Sequence, residues 1–410
     1  MSYLEKLLEG VEVEWKTLEE VVYVSNIGVD KKINRNDKEV RLLNFVDVFK
    51  NQYISNETPT MVVTASNKKI IDCDVRKGDV FITPSSEVID EIGFSALAIE
   101  DFDNVVYSYH IMRLRIIDTK TLFPAFLNYL FNSLDIRKQI KLKAQGITRY
   151  GLTQPNWKSL QIPIPPLSVQ KEIVRILDTF TELTAELTTE LTARKQQYSF
   201  YREELLRFEE GEVEWKTLGE VGEFQRGKRF VKVDLISEGV PTIHYGEMYT
   251  HYGTWADQTK SFVSEELVAN KNLRIAENGD VVIVAAGETI EDLGKGTAWL
   301  ADEGVVIHDA CFSFRSPINS KYFAYFTRTS QYHNQIRRHI SSGKISAINA
   351  RGLAKVIIPI PSLEEQERIV SILDKFDTLT SSISEGLPKE IELRQKQYEY
   401  YRDLLLTFPK

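Results

Sequence analysis

The sequence repeats itself at long range, and this limits the folds open to it more than any other feature. EVEWKTL occurs at 12–18 and again at 212–218, 200 residues apart. IPIPPLSVQKEIVRILDTFTELT at 162–184 matches IPIPSLEEQERIVSILDKFDTLT at 358–380, a spacing of 196, with 14 of 23 positions identical. RKQQYSFYREELLRF at 194–208 matches RQKQYEYYRDLLLTF at 394–408, again 200 apart. The four-residue discrepancy falls between Thr184 and Arg194 in the first copy, against Thr380 and Arg394 in the second. So long a period excludes a solenoid and marks a duplicated module. The duplication is also circularly permuted, because YLEKLLEGVEVEWKTL at the N-terminus resembles the join YREELLRFEEGEVEWKTL at 201–218. The two chain ends should therefore meet, in a molecule with a pseudo-twofold axis.

Both repeated segments read as long helices. Ser362 with Glu365 makes a capping box just after IPIP, whose prolines forbid an earlier start. Large apolar residues then recur at steps of three and four: Ile173, Leu177, Phe180, Leu183, Leu187, Leu191, Tyr198, Tyr201 and Leu205. The second copy gives Ile369, Leu373, Phe376, Leu379, Ile383, Leu387, Tyr398, Tyr401 and Leu405. This is a coiled-coil seam, and the two helices are expected to pair antiparallel. Gly386 and Pro388 should kink or break the second helix. In the first, the unit Thr-Ala-Glu-Leu, Thr-Thr-Glu-Leu at 184–191 reads as a spacer. Each four-residue unit adds about 6 Å of helix and keeps leucine on the seam.

The blocks at about 15–161 and 215–357 read as α+β. Alternating or β-branched runs at 40–49, 68–83, 104–117, 273–286 and 303–315 predict strands, with turns at KGD and NGD. Each block closes with a helical stretch, 123–144 and 320–340. The boundaries are 1–161 for the first head, 162–208 for the central helix, 209–357 for the second head and 358–410 for the C-terminal helix. The heads differ widely, whereas the helices nearly coincide.

Motifs for chemistry are missing. SSGKIS at 341–346 and QRGKRF at 225–230 contain Gly-Lys without the following Ser or Thr of a phosphate loop. DLGKGTAW at 292–299 lacks the third glycine of a dinucleotide fingerprint. The six histidines form no zinc-like pair with cysteines or carboxylates, and His308-Asp309 reads as a satisfied strand end. No Gly-x-Ser-x-Gly elbow occurs. Cys73 and Cys311 are too few and too far apart for a disulfide framework, and no run approaches a membrane span, so a cytoplasmic location is expected.

A net charge of −8 argues superficially against nucleic acid, but its distribution matters more. Residues 161–211 and 358–410 carry −3 each, leaving the heads nearly neutral at −1 each. Each head also has a basic run without acids. The first is 137–157, with Arg137, Lys138, Lys141, Lys143 and Arg149; the second is 337–355. QRGKRFVK at 225–232 adds Arg226, Lys228, Arg229 and Lys232. Lys and Arg neutralise phosphates, while Arg, Gln and Asn read base edges. The candidate DNA-binding residues are Lys141, Lys143, Gln145, Thr148, Arg149 and Tyr150 in the first head. In the second they are Gln225, Arg226, Lys228, Arg229, Lys344, Ser346, Asn349 and Arg351.

This layout, head, IPIPPLxxQ helix, head, IPIPxLEEQERIVxILDKF helix, resembles the specificity subunit of type I restriction-modification enzymes along essentially the whole chain. The resemblance implies two target-recognition domains, each reading one half of a split double-stranded DNA site. It also implies a helical spacer on which two modification subunits dock, with restriction subunits completing the nuclease. S-adenosylmethionine would belong to the modification subunit and ATP with Mg to the restriction subunit, so this chain would bind no cofactor and hold no catalytic or metal site. Phe180, Leu183, Leu187, Leu191, Tyr198, Tyr201, Phe376, Leu379, Tyr398 and Tyr401 are then seam residues, some of them anchoring modification subunits. Three readings of other classes compete: a self-contained methyltransferase or nuclease, a coiled-coil scaffold, and a stand-alone bivalent DNA-binding regulator.

Overall fold

The computed structural model describes residue 7, residues 9–382 and residues 384–409, with Tyr249 as backbone only. It divides into two compact units, Met1–Ala185 with Glu392–Lys410, and Glu186–Ile391. The chain thus passes from one unit to the other inside the Thr-Ala-Glu-Leu repeat. Residues 3–6 and 8 of the N-terminal repeat, and the seam residue Ile383, lie outside the described residues.

Each head is built on a five-stranded sheet with the same strand order. In the first unit the order is Val22–Ser25, Met112–Ile116, Val80–Ile82, Ser95–Ala98, Tyr53–Ile54; in the second it is Glu223–Arg226, Cys311–Arg315, Val281–Val284, Gly296–Trp299, Trp255–Ala256. The central strands Val80–Ile82 and Val281–Val284 are buried along their whole length, as their unbroken apolar runs require. KGD and NGD make the turns before them. Gly78 and Gly279 take φ of +90° and +86°, a left-handed conformation that other residues rarely adopt. The following aspartates, Asp79 and Asp280, accept hydrogen bonds from the Arg76 and Glu277 amides, both at 2.9 Å. A second sheet completes each head: Met61–Ala65, Lys38–Leu43, Val105–Tyr107 in the first, and Ser261–Val263, Val240–Ile243, Val305–Ile307, Ile275–Ala276 in the second.

Four stretches fold differently from the sequence expectation. The run 40–49 is a strand only to Leu43; Asn44 then caps a helix, Phe45–Lys50, through a capping box with Asp47. The start of 68–83 is also a helix, Asn67–Asp72, because the Ser66 side chain caps it. The closing helical stretches are each broken once. Ser133 and Thr329, 196 residues apart, each cap a second helix, Leu134–Lys143 and Ser330–Ile336. At both sites a capping hydroxyl competes with helix continuation.

The IPIP segments are strands, Gln161–Ile164 and Ile357–Ile360, paired antiparallel with the EVEWKTL copies. The register repeats residue for residue: Trp15 opposes Pro163 and Trp215 opposes Pro359. These are two-stranded ladders, where proline is tolerated. In the first unit Trp15 Nε1 donates to the Pro409 carbonyl at 2.9 Å, which joins the described N-terminal and C-terminal segments. Leu406 and Phe408 enter the core of that head, just as Leu206 and Phe208 do in the second. Two chain ends therefore do in one unit what a continuous stretch does in the other.

Leu167–Leu205 is one helix of 39 residues, about 60 Å long. Its C-terminal counterpart is two helices, Leu363–Ser381 and Gly386–Leu405, separated where Gly386 takes φ of +75°. In the first unit Phe180 stacks on Tyr401 with ring centroids 5.3 Å apart. In the second, Tyr198 and Tyr201 stack on Phe376 at 6.1 and 5.4 Å. The start of the long helix thus meets the end of the split one, and its end meets the start, which is an antiparallel pairing. Leu183, Leu187, Leu191 and Leu379, expected on the seam, are half-buried.

Candidate nucleic-acid interface

Each head is fastened to its neighbouring segments by three sets of hydrogen bonds that recur at a spacing of 196. Gln139 grips the backbone of Gln161, donating to its carbonyl and accepting from its amide, both at 2.8 Å. Gln335 does the same to Ile357, at 2.9 and 2.8 Å. Gln170, fully buried, accepts from the Phe123 amide and donates to the Pro165 carbonyl, both at 2.8 Å. Gln366 repeats this with Asn319 and Pro361, both at 2.9 Å. Tyr129 and Tyr325 donate to Asp178 and Asp374 on the helices, at 2.6 and 2.7 Å. Burial pushes both phenols well above the usual tyrosine range, so each keeps its proton and acts as a donor.

The basic runs close on this frame at matching places. In the first head Tyr150–Gly151 pairs antiparallel with Ser85–Ser86. In the second, Ser346–Ile348 pairs with Ala286–Gly287 on one side and with Ile340–Ser341 on the other. The tips of both hairpins are exposed, with Gln145, Thr148 and Arg149 on one and Lys344 on the other.

Several candidate residues are already occupied within the protein. Arg149 donates to the Ser85 hydroxyl at 3.0 Å and to its carbonyl at 3.4 Å. Lys141 is paired with Asp90, and Lys143 reaches the Ser159 hydroxyl at 3.0 Å. Arg226 donates to the Asp309 carbonyl at 2.9 Å, and Lys228 to that of Lys271 at 3.4 Å. Tyr150 is half-buried against the first core. The Asn349 side chain caps Ala350–Leu353 and leaves Arg351 exposed on that turn. Ser346 does not fit the expectation. It is 4% exposed, held inside the hairpin by its pairing with Gly287, and presents no hydroxyl to a groove. Gln225 and Arg229 are exposed.

Arg229 and Ile345 bring two of the second head's basic segments to one pocket of about 730 Å³. Its rings are Phe230, His244, Tyr245 and His308, none of which was marked by the sequence as a site residue. The pocket gathers residues 229 to 345, and no local pattern announces it. His308 is a satisfied strand end. Burial depresses its pKa, more than the Asp309 carboxylate at 3.0 Å from Nδ1 raises it. The neutral ring accepts from the Ala310 amide at Nδ1 and donates to the Phe230 carbonyl from Nε2, both at 3.0 Å. Gly227 lies against the same strand end, where a Cβ would stand 2.1 Å from the His308 carbonyl oxygen; Gly28 makes the matching approach to Tyr109 in the first head.

A family model described as the type I restriction modification DNA specificity domain matches residues 10–194 and again residues 210–393. The chain belongs to this family. The two matches coincide with the two copies of the module. A type I restriction enzyme specificity subunit of Escherichia coli is 36% identical, over 100% of this chain and 98% of its own length. A putative type I restriction enzyme specificity subunit of Haemophilus influenzae is 33% identical, over 99% and 98%. Among solved structures, the S subunit of a type I restriction-modification system from M. genitalium aligns over 100% of both chains with a TM-score of 0.53 and 15% identity. A chain from a study of complex assembly and conformational transition in the type I R-M system aligns over 97% and 98%, with a TM-score of 0.63 and 17% identity. These last two share the fold. Among the described residues no helix is long and apolar enough to cross a membrane.

Proposed function

We propose that this chain directs a type I restriction-modification complex to its DNA site, each head reading one half of a bipartite, asymmetric sequence. The observation that carries this reading is the contrast between the heads: equivalent joints, with Gln139 matched by Gln335 and Gln170 by Gln366, hold loops that carry different residues. A duplicated frame presenting unlike loops suits a reader of two unlike half-sites. The helices set the gap between the halves and offer docking faces for two modification subunits, with restriction subunits joining them. Methyl transfer from S-adenosylmethionine and ATP-dependent cleavage then belong to the partners, and this chain works as a non-catalytic subunit in the cytoplasm. Its near-neutral heads fit that division, because partners in a complex can supply much of the phosphate-neutralising charge.

The test is co-expression with the type I modification methyltransferase of the same organism, followed by mapping of methylated adenines. One split, asymmetric motif is expected, present only when both chains are present. A chain that binds a specific site tightly by itself and supports no methylation with the partner would instead be a stand-alone regulator.

A further inference from the structure

We infer that the pocket of the second head contains the residues that select its half-site, and that it reads a guanine·cytosine pair through Arg229 and Glu288. The inference rests on the reading of the heads as DNA readers and adds to it a place and a base chemistry.

Three observations lead to it. The first is which polar groups remain available. Arg226 and Lys228 are hydrogen-bonded to backbone carbonyls. The Arg229 guanidinium, the Tyr245 hydroxyl and the Glu288 carboxylate, all lining the pocket, make no hydrogen bond or ion pair with another described residue. His244 joins them. Its Nδ1 accepts from the Gly246 amide at 3.3 Å, so in the neutral ring the proton sits on Nε2, which has no partner among the described residues. Burial lowers the His244 pKa and keeps the ring neutral. A concave, ring-lined site with a few convergent polar groups is the usual form of a recognition site.

The second observation is rigidity beneath those groups. The rings of His244, Tyr245 and Phe230 lie 4.8, 5.0 and 5.0 Å from that of His308, which is pinned by backbone at both nitrogens. Groups held this way need little ordering on binding.

The third is the first head. The strands and glycines that align the two copies place Asp30, Asn44 and Phe45 where the second head has Arg229, His244 and Tyr245. Asp30 is paired with Lys32 at 2.9 Å, and the Asn44 side chain is occupied in capping its helix. Glu288 has an exposed glutamate, Glu87, at its counterpart position, so it is the free guanidinium, imidazole and phenol that belong to the second head alone, at the points where the copies diverge.

The base chemistry follows from the two charges. A guanidinium donates to guanine O6 and N7 in the major groove, and a carboxylate accepts from the cytosine amino group. One G·C pair answers both. The complex with its methyltransferase, carrying Arg229→Ala or Glu288→Gln, tests this by methylation mapping. Both side chains are exposed, so neither change threatens the core. Each variant should lose preference at one G·C position of the second half-site by about 5- to 150-fold, with the first half-site and the gap unchanged. An unchanged second half-site in both variants would overturn the inference, as would an equal loss across all sequences, which marks a phosphate contact. The unmodified complex, run alongside, separates the two claims: a defined split motif there supports the reading beneath the inference whatever the variants do, and its absence removes both.

Discussion

Gln139 and Gln335 grip equivalent strands in their respective heads, yet the hairpins that follow them, QGITRYG at 145–151 and SSGKISA at 341–347, differ in residues and in length of pairing. Joints and loops of one duplicated module have therefore been held to different standards. A joint residue answers to the backbone it grips, which is the same in both copies. A loop residue answers to something outside the protein, and the two copies face different things. The heads are interchangeable in how they attach and distinct in what they present.

The largest effect that would sharpen this contrast concerns the long helix, which lies outside both sets of loops. Deleting Thr188–Leu191 shortens it by about 6 Å and turns it by about 40° beyond a full turn, while leucine keeps its seam position. At about 3.4 Å per base pair, the gap in the methylated motif should shrink by one to two base pairs, with both half-sites kept. An unchanged gap in an active complex would mean that the repeat measures nothing.

The joints should respond alike. Gln170→Ala leaves the part-buried Phe123 amide and the buried Pro165 carbonyl without their partner, and Gln366→Ala does the same to Asn319 and Pro361. Each should cost about 2–3 kcal/mol in chemical denaturation, because a buried group left unpaired carries its desolvation penalty. A large cost at one glutamine and none at the other would break the equivalence on which the comparison rests.

The long helices were legible because their signal is periodic. Steps of three and four place Phe180, Tyr198 and Phe376 on one face, and the structure stacks those rings. The strand order of the heads was not legible, since it depends on pairings between distant segments. The helix Asn67–Asp72 was hidden by the β-branched look of KKIIDCDV, although Ser66 before it was an available capping signal. The joints did carry a signal, a glutamine repeated at a spacing of 196, but nothing local distinguishes it from a surface residue. Charge identified the basic runs and failed to show which members were already engaged. Arg226 is held by a carbonyl 83 residues away, a contact that only the tertiary fold creates. The pocket was invisible for the same reason, as its polar groups come from separate loops.

The smallest expected effect separates the heads by pH. His244, His308 and His333 in the second head are all held below the ordinary value of 6.5 by burial. The first head has one histidine, His110, which is exposed. Unfolding frees the buried rings to take up protons, so their contribution to stability is complete above pH 6.5 or so and declines as the pH falls toward their folded values. Hydrogen exchange followed from pH 7.5 to pH 5.5 should show protection in residues 223–315 falling more than in residues 22–116. Equal losses would assign the acid response to groups common to both heads.

The most direct test of independent reading is to replace residues 15–161 with the corresponding head of the Escherichia coli relative, keep every helix residue, co-express the hybrid with the methyltransferase, and map methylated adenines. The account predicts that one half of the motif changes to a half read by the donor protein, while the other half and the gap stay as they were. A hybrid that methylates with both halves altered would contradict it, because the heads would then be reading one site together.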